Sequence, residues 1–358
     1  MKKSLLATTA LAALGAVAVA SPASAKFEVA VGGFMEQWFG YSDNSNTAVP
    51  QADVMEQHSD TEVHVFATQT LDNGLKFKAT IEMEAEAGGG IDEQYLAVDG
   101  SFGRVIIGNE DQAARLMHYN AGSNGIGMEE GDGTGAWIAG ATGTLANTNT
   151  HVAVSSDDNN VTYFTPRING FQVGVSYIPE QNDNDARTPG GTTAATQSRT
   201  NDANRDNSYA VAVNYVNSFE NLNVALSAGY TDGGNNVAGS EHAFTFGTRL
   251  GFGGFSVGFA YGEHDRDNAE SATSGVQNVN TFAFGLGYQA GPAGVSLGYV
   301  RGEDSPTDDK QDLLELGASY AVGPGITARG ALYYAERVTA GDEAADGVAV
   351  VGGLALSF

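Results

Sequence analysis

Leu75-Lys76-Phe77-Lys78-Ala79-Thr80-Ile81-Glu82-Met83-Glu84-Ala85-Glu86 alternates without a break: odd positions are apolar and even positions are charged or polar. A period of two puts successive side chains on opposite faces of an extended strand, so one face meets apolar surroundings and the other meets water. The pattern returns along the chain. Phe171, Val173, Val175 and Tyr177 oppose Gln172, Gly174 and Ser176, and Tyr209, Val211, Val213 and Tyr215 oppose Ala210, Ala212 and Asn214. Leu222 to Tyr230, Phe255 to Tyr261, Phe282 to Tyr288 and Val295 to Tyr299 repeat it. Tyr tends to close the apolar row at one end, as an aromatic belt at a membrane interface requires.

From Phe27 onward the alternation predicts sixteen strands, near 27–41, 60–70, 75–86, 93–99, 104–110, 160–166, 171–178, 208–216, 222–230, 242–250, 255–262, 279–288, 295–301, 312–322, 326–337 and 347–358. Their connectors alternate in length. Leu71-Asp72-Asn73-Gly74, Arg167-Ile168-Asn169-Gly170 and Gly323-Pro324-Gly325 are short, whereas Ser42 to Ser59, Pro179 to Asn207 and Glu263 to Asn278 are long and polar. Tight turns at one rim and long loops at the other, with an even strand count, predict an all-β, 16-stranded antiparallel transmembrane β-barrel with short periplasmic turns and long external loops. A soluble β-sandwich gives no reason for that regular alternation of connectors. A calcium-binding β-roll needs a nonapeptide repeat that this chain lacks.

Residues 1–25 have the form of a cleaved signal peptide. Lys2 and Lys3 precede an apolar run from Leu5 to Ala20, and Ser21-Pro22-Ala23-Ser24-Ala25 ends in a small-x-small pattern. The barrel domain is then 26–358. Loss of the two leader lysines takes the formal charge from −26 to −28, which excludes nucleic acid as a partner because phosphates need Lys and Arg. The sequence has no cysteine, and Gly 48 with Pro 8 describes neither a linker nor a collagen. No segment after the leader is long and apolar enough for a membrane helix, so membrane entry requires a closed barrel.

One connector stands apart. Between Gly108 and Asn160 no regular period holds, and a segment that long without one is uncommon unless it has a task. Its middle, from Gly125 to Gly135, is acidic and rich in glycine, and 111–159 is predicted to fold inward and narrow a pore. Enzyme chemistry finds no support here. Six histidines are scattered without metal-ligand spacing, and the glycine run lacks the strand and helix of a phosphate loop.

The chain ends Val348-Ala349-Val350-Val351-Gly352-Gly353-Leu354-Ala355-Leu356-Ser357-Phe358. Leu354, Leu356 and the terminal Phe358 look like the sorting signal of bacterial outer-membrane barrels, read by the barrel-assembly machinery. With Phe102-Gly103-Arg104-Val105-Ile106-Ile107-Gly108-Asn109-Glu110 before the long connector and Tyr163-Phe164-Thr165-Pro166-Arg167-Ile168-Asn169-Gly170-Phe171 after it, the chain resembles the general porins of Gram-negative bacteria, most of all the alphaproteobacterial type. The resemblance covers 26–358. It implies a water-filled barrel in the outer membrane, association into homotrimers, a third external loop folded into the lumen, and passive diffusion of ions and small hydrophilic solutes. The Pro-Glu-Phe-Gly-Gly loop motif of enterobacterial relatives is absent, which leaves the path of this loop open.

With apolar faces toward lipid, the alternate residues line the lumen. The acidic side of a constriction is predicted at Glu110, Asp111, Glu129, Glu130 and Asp132, facing basic wall residues Lys76, Lys78, Arg104, Arg249, Arg329 and Arg337 across a transverse field. Glu82, Glu84 and Glu86 share one face of one strand, roughly 7 Å apart at alternate positions. They suggest a cation-preferring pore. Ca²⁺ held by carboxylates near the mouth is one reading of them and a hydrated wall is the other. Two alternatives to general diffusion stay open: a substrate-selective channel of the same architecture, and a non-conducting structural or adhesive barrel.

Overall fold

The computed structural model describes residues 27–46, 54–85, 89–123, 125, 137–138, 149–151, 157–180, 206–236, 239–266, 278–305, 308–339 and 342–358. The strands are β1 Glu28–Asn46, β2 Val54–Thr70, β3 Lys76–Glu84, β4 Ile91–Gly100, β5 Gly103–Asn109, β6 Asn159–Phe164, β7 Phe171–Glu180 and β8 Asp206–Phe219. They continue as β9 Leu222–Asn236, β10 Gly239–Phe252, β11 Phe255–Arg266, β12 Asn278–Ala290, β13 Ala293–Asp304, β14 Asp309–Gly323, β15 Ile326–Thr339 and β16 Asp342–Ser357. Each pairs antiparallel with its sequence neighbours, and β1 pairs with β16 to close the barrel. Phe358 completes the seam: its N–H donates to Gly33 O at 3.1 Å and its carbonyl accepts from Gly33 N at 3.0 Å.

All sixteen strands fall where the alternation puts them, but many run further toward the long-loop rim. β1, β9, β13 and β16 include residues predicted as connector, such as Ser42–Asn46 and Asp232–Asn236. Ladder pairing needs only backbone groups, so hairpins continue as strands after their apolar rows have ended. At the other rim the turns are tight. In the β2–β3 turn, Gly74 N–H donates to Leu71 O at 2.9 Å with φ +85°, a conformation glycine adopts without strain.

The outward face is apolar and exposed, as at Phe246, Phe259, Phe284, Leu297 and Leu316. Aromatic pairs bound this band on both sides. Phe171–Tyr215 and Phe255–Tyr288 lie near the short turns, with ring centroids 4.6 and 4.5 Å apart, and Tyr177–Tyr209 lies toward the long loops at 5.1 Å. Phe171 to Tyr177 spans roughly 20 Å of strand, in keeping with the tilted apolar band of an outer-membrane barrel.

A barrel has no central core, and here the buried apolar residues collect where the connector after β5 meets the inner wall. Ala97, Ile106 and Phe164 pack with Ala113, Ala114 and Met117 of that connector. Trp38, Tyr333 and Val351 pack with its Trp137 and Ile138.

Candidate functional site

The connector after β5 is the third loop at the long-loop rim, and its described residues lie inside the barrel. It begins with a single helical turn, α1 Ala113–Leu116, capped by Gln112, whose side chain accepts from Ala114 N–H at 2.6 Å. The chain then follows the inner wall. Ala113 N–H donates to Ser176 Oγ on β7 at 2.8 Å, and Tyr119 N–H donates to Ser227 Oγ on β9 at 2.9 Å. Arg249 Nε on β10 donates to Asn120 O at 2.7 Å, and Ser123 donates to Glu315 on β14. Further on, the Trp137 ring meets His58 edge-on at 4.5 Å, and its carbonyl accepts from Asn44 Nδ2 at 3.4 Å.

Small inward residues on the wall make room for this path. A methyl at Gly229 of β9 would come within 2.8 Å of Ala114 Cβ, and one at Gly285 of β12 within 2.6 Å of the Ala121 carbonyl oxygen. At Gly247 of β10, Gly258 of β11 and Gly317 of β14 it would overlap Tyr119 O, Ala121 O and Gly125 N outright. The loop is seated on a track of absent side chains. The sequence carried that signal as Gly at inward parity on successive strands, and alternation analysis, which attends to large residues, passed over it.

The opposite sector, β2 to β5, is charged. His64 Nε2 lies 2.7 Å from Glu62 and 3.3 Å from Glu82. Lys78 Nζ sits 4.1 Å over the Phe66 ring, and Arg104 Nε is 3.8 Å from Asp99. A register shift in the β3–β4 ladder between Ile81 and Met83 places two successive β4 acids in the lumen. Asp92 joins Glu62 and Glu84, and Glu93 joins Asp111 and Asp157, with ligand oxygens within 4.8 Å of one another in each group. Both groups are all-oxygen, the donor set a hard divalent cation takes.

The predicted site residues are distributed differently from the transverse arrangement. Glu110 and Asp111 do not stand across the lumen from the basic wall. They are buried at the neck of the third loop on the same sector as Lys78 and Arg104, and Asp111 Oδ2 binds Arg115 Nε at 2.9 Å. Arg249 engages the loop backbone, Arg329 lies 3.4 Å from Glu36 of β1, and Arg337 lies 3.2 Å from Asp309 of β14. Lys76, Glu82 and Glu84 occupy the inward row of β3. Leu354 and Phe358 are exposed, on the outward row that Leu356 shares. The side chain of Glu86, together with Glu129, Glu130, Asp132 and the leader 1–25, lies outside the described residues.

Burial sets the charge states at the neck. Desolvation pushes the Asp111 carboxyl up to about 7 against the pull of Arg115, and it raises Glu110 as well. On the facing arms of the loop, His118 Nε2 lies 3.0 Å from Thr150 Oγ1, and the His118 and His151 rings are 6.4 Å apart. Desolvation, then Arg249, brings His118 down to about 4. Desolvation, then Arg115 and His118, brings His151 down to about 3. Both imidazoles are therefore neutral near pH 7. Sequence reading passed over this pair because the two are far apart along the chain.

A closed sixteen-strand barrel with a polar lumen and an inward third loop is a pore architecture, and residues 7–340 match the family model described as Gram-negative porin. The chain belongs to the Gram-negative porin family. This porin is accordingly a β-barrel channel of the outer membrane for diffusion of solutes. Among solved structures it is similar to the anion-selective porin from Comamonas acidovorans, with 17% identity, TM-score 0.63, and coverage of 93% of this chain and 100% of that one. It is also similar to OmpT of Vibrio cholerae in a trimer form, with 14% identity, TM-score 0.60, and coverage of 93% and 99%. Salmonella typhi OmpF in complex with daunomycin gives 10% identity, TM-score 0.62, and coverage of 92% and 98%. At these identities the likeness is one of fold. No curated protein matches the porin's sequence.

Proposed function

We propose that this porin is a general diffusion channel, in which ions and small hydrophilic solutes pass between the docked third loop and the charged wall of β2 to β5. The observation that carries the reading is the division of the inner surface. The loop is hydrogen-bonded along the wall from β7 to β14, while Glu62, Glu82, Glu84 and Lys78 keep partial exposure on the other side. The narrowest passage then lies beside the loop, and the acids nearer the outside favour cations. Ca²⁺ or another divalent cation held by Glu93, Asp111 and Asp157 at the loop neck fits the same reading. The molecule acts as a channel and catalyses nothing.

The proposal extends to export and assembly. Residues 1–25 are removed as a signal peptide, and Leu354, Leu356 and Phe358 present the last strand to the barrel-assembly machinery. The working form is a homotrimer in outer-membrane lipid. Support comes from the outward row of β1, where Gln37 stands between the exposed Met35 and Phe39 and accepts from Gln57 Nε2 of β2 at 2.8 Å. An amide pair facing hydrocarbon is unfavourable, and a neighbouring subunit covers it better than lipid does.

The test is planar-bilayer recording of protein refolded from residues 26–358 under a tenfold KCl gradient. Stepwise conductance with a cation-favouring reversal potential is the expected result. A folded barrel that inserts and passes no current overturns the channel in favour of a structural barrel, and solute flux that saturates at millimolar concentration makes it substrate-selective.

A further inference from the structure

The inward charges of the strands are sorted by height. Among the described residues, Lys76 and Lys78 of β3, Arg104 of β5, Arg249 of β10 and Arg329 of β15 all lie within four strand positions of the short-turn rim. The inward acids at that level are Glu28, Asp99, Glu36 and its cross-strand partner Asp60, and Arg329 and Arg104 engage Glu36 and Asp99. Toward the long-loop rim the balance inverts. Glu82 and Glu84 end β3, Asp92 and Glu93 open β4, Glu241 is near the start of β10, and Asp304 and Asp309 flank the β13–β14 turn. At that end Arg337 is the inward strand cation whose side chain is described, and Asp309 already pairs with it. β3 carries both signs on one face, and roughly 13 Å of strand separates Lys78 from Glu82.

We propose that this porin is a bipolar, rectifying channel, acid-walled toward the outside and base-walled toward the periplasm, conducting more readily when the outside is positive. The inference deepens the diffusion-channel reading and rests on it. Mobile cations gather in the acid-walled zone and mobile anions in the base-walled zone. With the outside positive, cations move inward and anions outward, so both meet at mid-height and raise the carrier density there. With the outside negative, both are drawn away from the junction, which is depleted, and the current falls. The asymmetry depends on wall charge reaching across the lumen. It is therefore strong where the Debye length is about 10 Å, in 0.1 M salt, and lost where it is about 3 Å, in 1 M salt.

The experiment is single-channel recording at equal and opposite voltages in symmetric 0.1 M and 1 M KCl. The sequence has no cysteine. Ser305, exposed beyond β13 at the long-loop rim, becomes a unique label site as Ser305→Cys. Once that residue is biotinylated, streptavidin perturbs the current only from the external chamber, which fixes the orientation. We expect current at outside-positive voltage to exceed its opposite by about 1.5- to 3-fold in 0.1 M KCl, and a ratio near one in 1 M KCl.

Lys76→Gln with Lys78→Gln and Arg104→Gln should bring the low-salt ratio toward one. Glu82→Gln with Glu84→Gln should do the same from the other end, and it keeps the test decisive where the triple variant does not fold. A symmetric current at 0.1 M KCl, or rectification of the opposite sign, overturns the bipolar lumen while leaving the channel intact. Absence of current at both polarities overturns the channel reading itself.

Discussion

At mid-height on β9 to β12 the inward positions are largely Gly, Ala, Ser and Thr, and the backbone of the third loop lies against them. On β2 and β3 they include Glu62, His64, Lys78, Glu82 and Glu84, and His64 contacts Glu62 beside it and Glu82 across the ladder. The outward faces of the two sectors are much alike, rows of apolar residues set by the same alternation. The membrane thus dictates one face of a barrel strand, while the other is free to become a docking surface for backbone in one sector and a charged wall in another. A docking surface works by omission, since each missing Cβ admits a carbonyl or an amide, and a charged wall works by what it presents.

The largest effect is expected from filling the docking surface. Gly247→Ala puts a methyl onto the Tyr119 carbonyl, whereas Gly251→Ala, on the same strand and the same face, meets nothing closer than 3.7 Å. Overpacking of the first kind destabilises by about 1–3 kcal/mol, and here the loop backbone gives way before the ladder does. The expected outcome for Gly247→Ala is a lower unit conductance with more open-channel noise, as the chain at Tyr119 moves off the wall into the passage. Gly251→Ala should conduct like the wild type. Equal behaviour of the two variants would mean that the loop is not held by its fit to the wall.

A smaller effect is expected from the charged wall, where substitution alters which ions pass rather than how many. Glu82→Gln with Glu84→Gln removes two negative charges from one inward face without changing side-chain size. The reversal potential under a KCl gradient should move toward anions, with the unit conductance in 1 M KCl little changed because wall charge is screened there. An unmoved reversal potential would take selectivity away from this sector.

The alternation of Leu75 to Glu86 was enough to orient β3, and the connector lengths were enough to close the barrel, because lipid and water impose a chemical contrast that a single sequence displays. The loop was legible as an interruption of that contrast, and its path was not. It is held by glycines and by backbone groups of Tyr119, Asn120 and Ala121, which no hydropathy pattern registers. Glu110 and Asp111 have the composition of lumen charges, yet they are buried, since parity gives a direction and says nothing of what covers a residue. The register shift between Ile81 and Met83 likewise turns two adjacent β4 acids inward, where strict alternation allows one.

The smallest effect concerns the neck of the loop, where the two sectors meet, and its sign follows from linkage. Asp111, raised to about 7, binds its proton more tightly in the folded protein, so its contribution is present below about pH 4 and is lost as pH rises toward 7. His118 and His151, lowered to about 4 and about 3, are neutral in the fold. Their contribution is present above the usual imidazole range and is lost as pH falls from about 6.5 through 4. Glu110, raised beside Asp111, shares its sign, so the carboxyls tighten their end of the neck on acidification while the arms that carry the two imidazoles loosen. Amide hydrogen exchange of 117–119 and 149–151, corrected for intrinsic rates, should quicken at pH 4 relative to pH 6.5, while the β9–β12 ladders stay protected. His118→Gln with His151→Asn should flatten that acid response. If the double variant responds to acid as the wild type does, the arms are joined by the loop's seat on the glycine track rather than by the paired histidines, and the docking surface alone holds the loop in place.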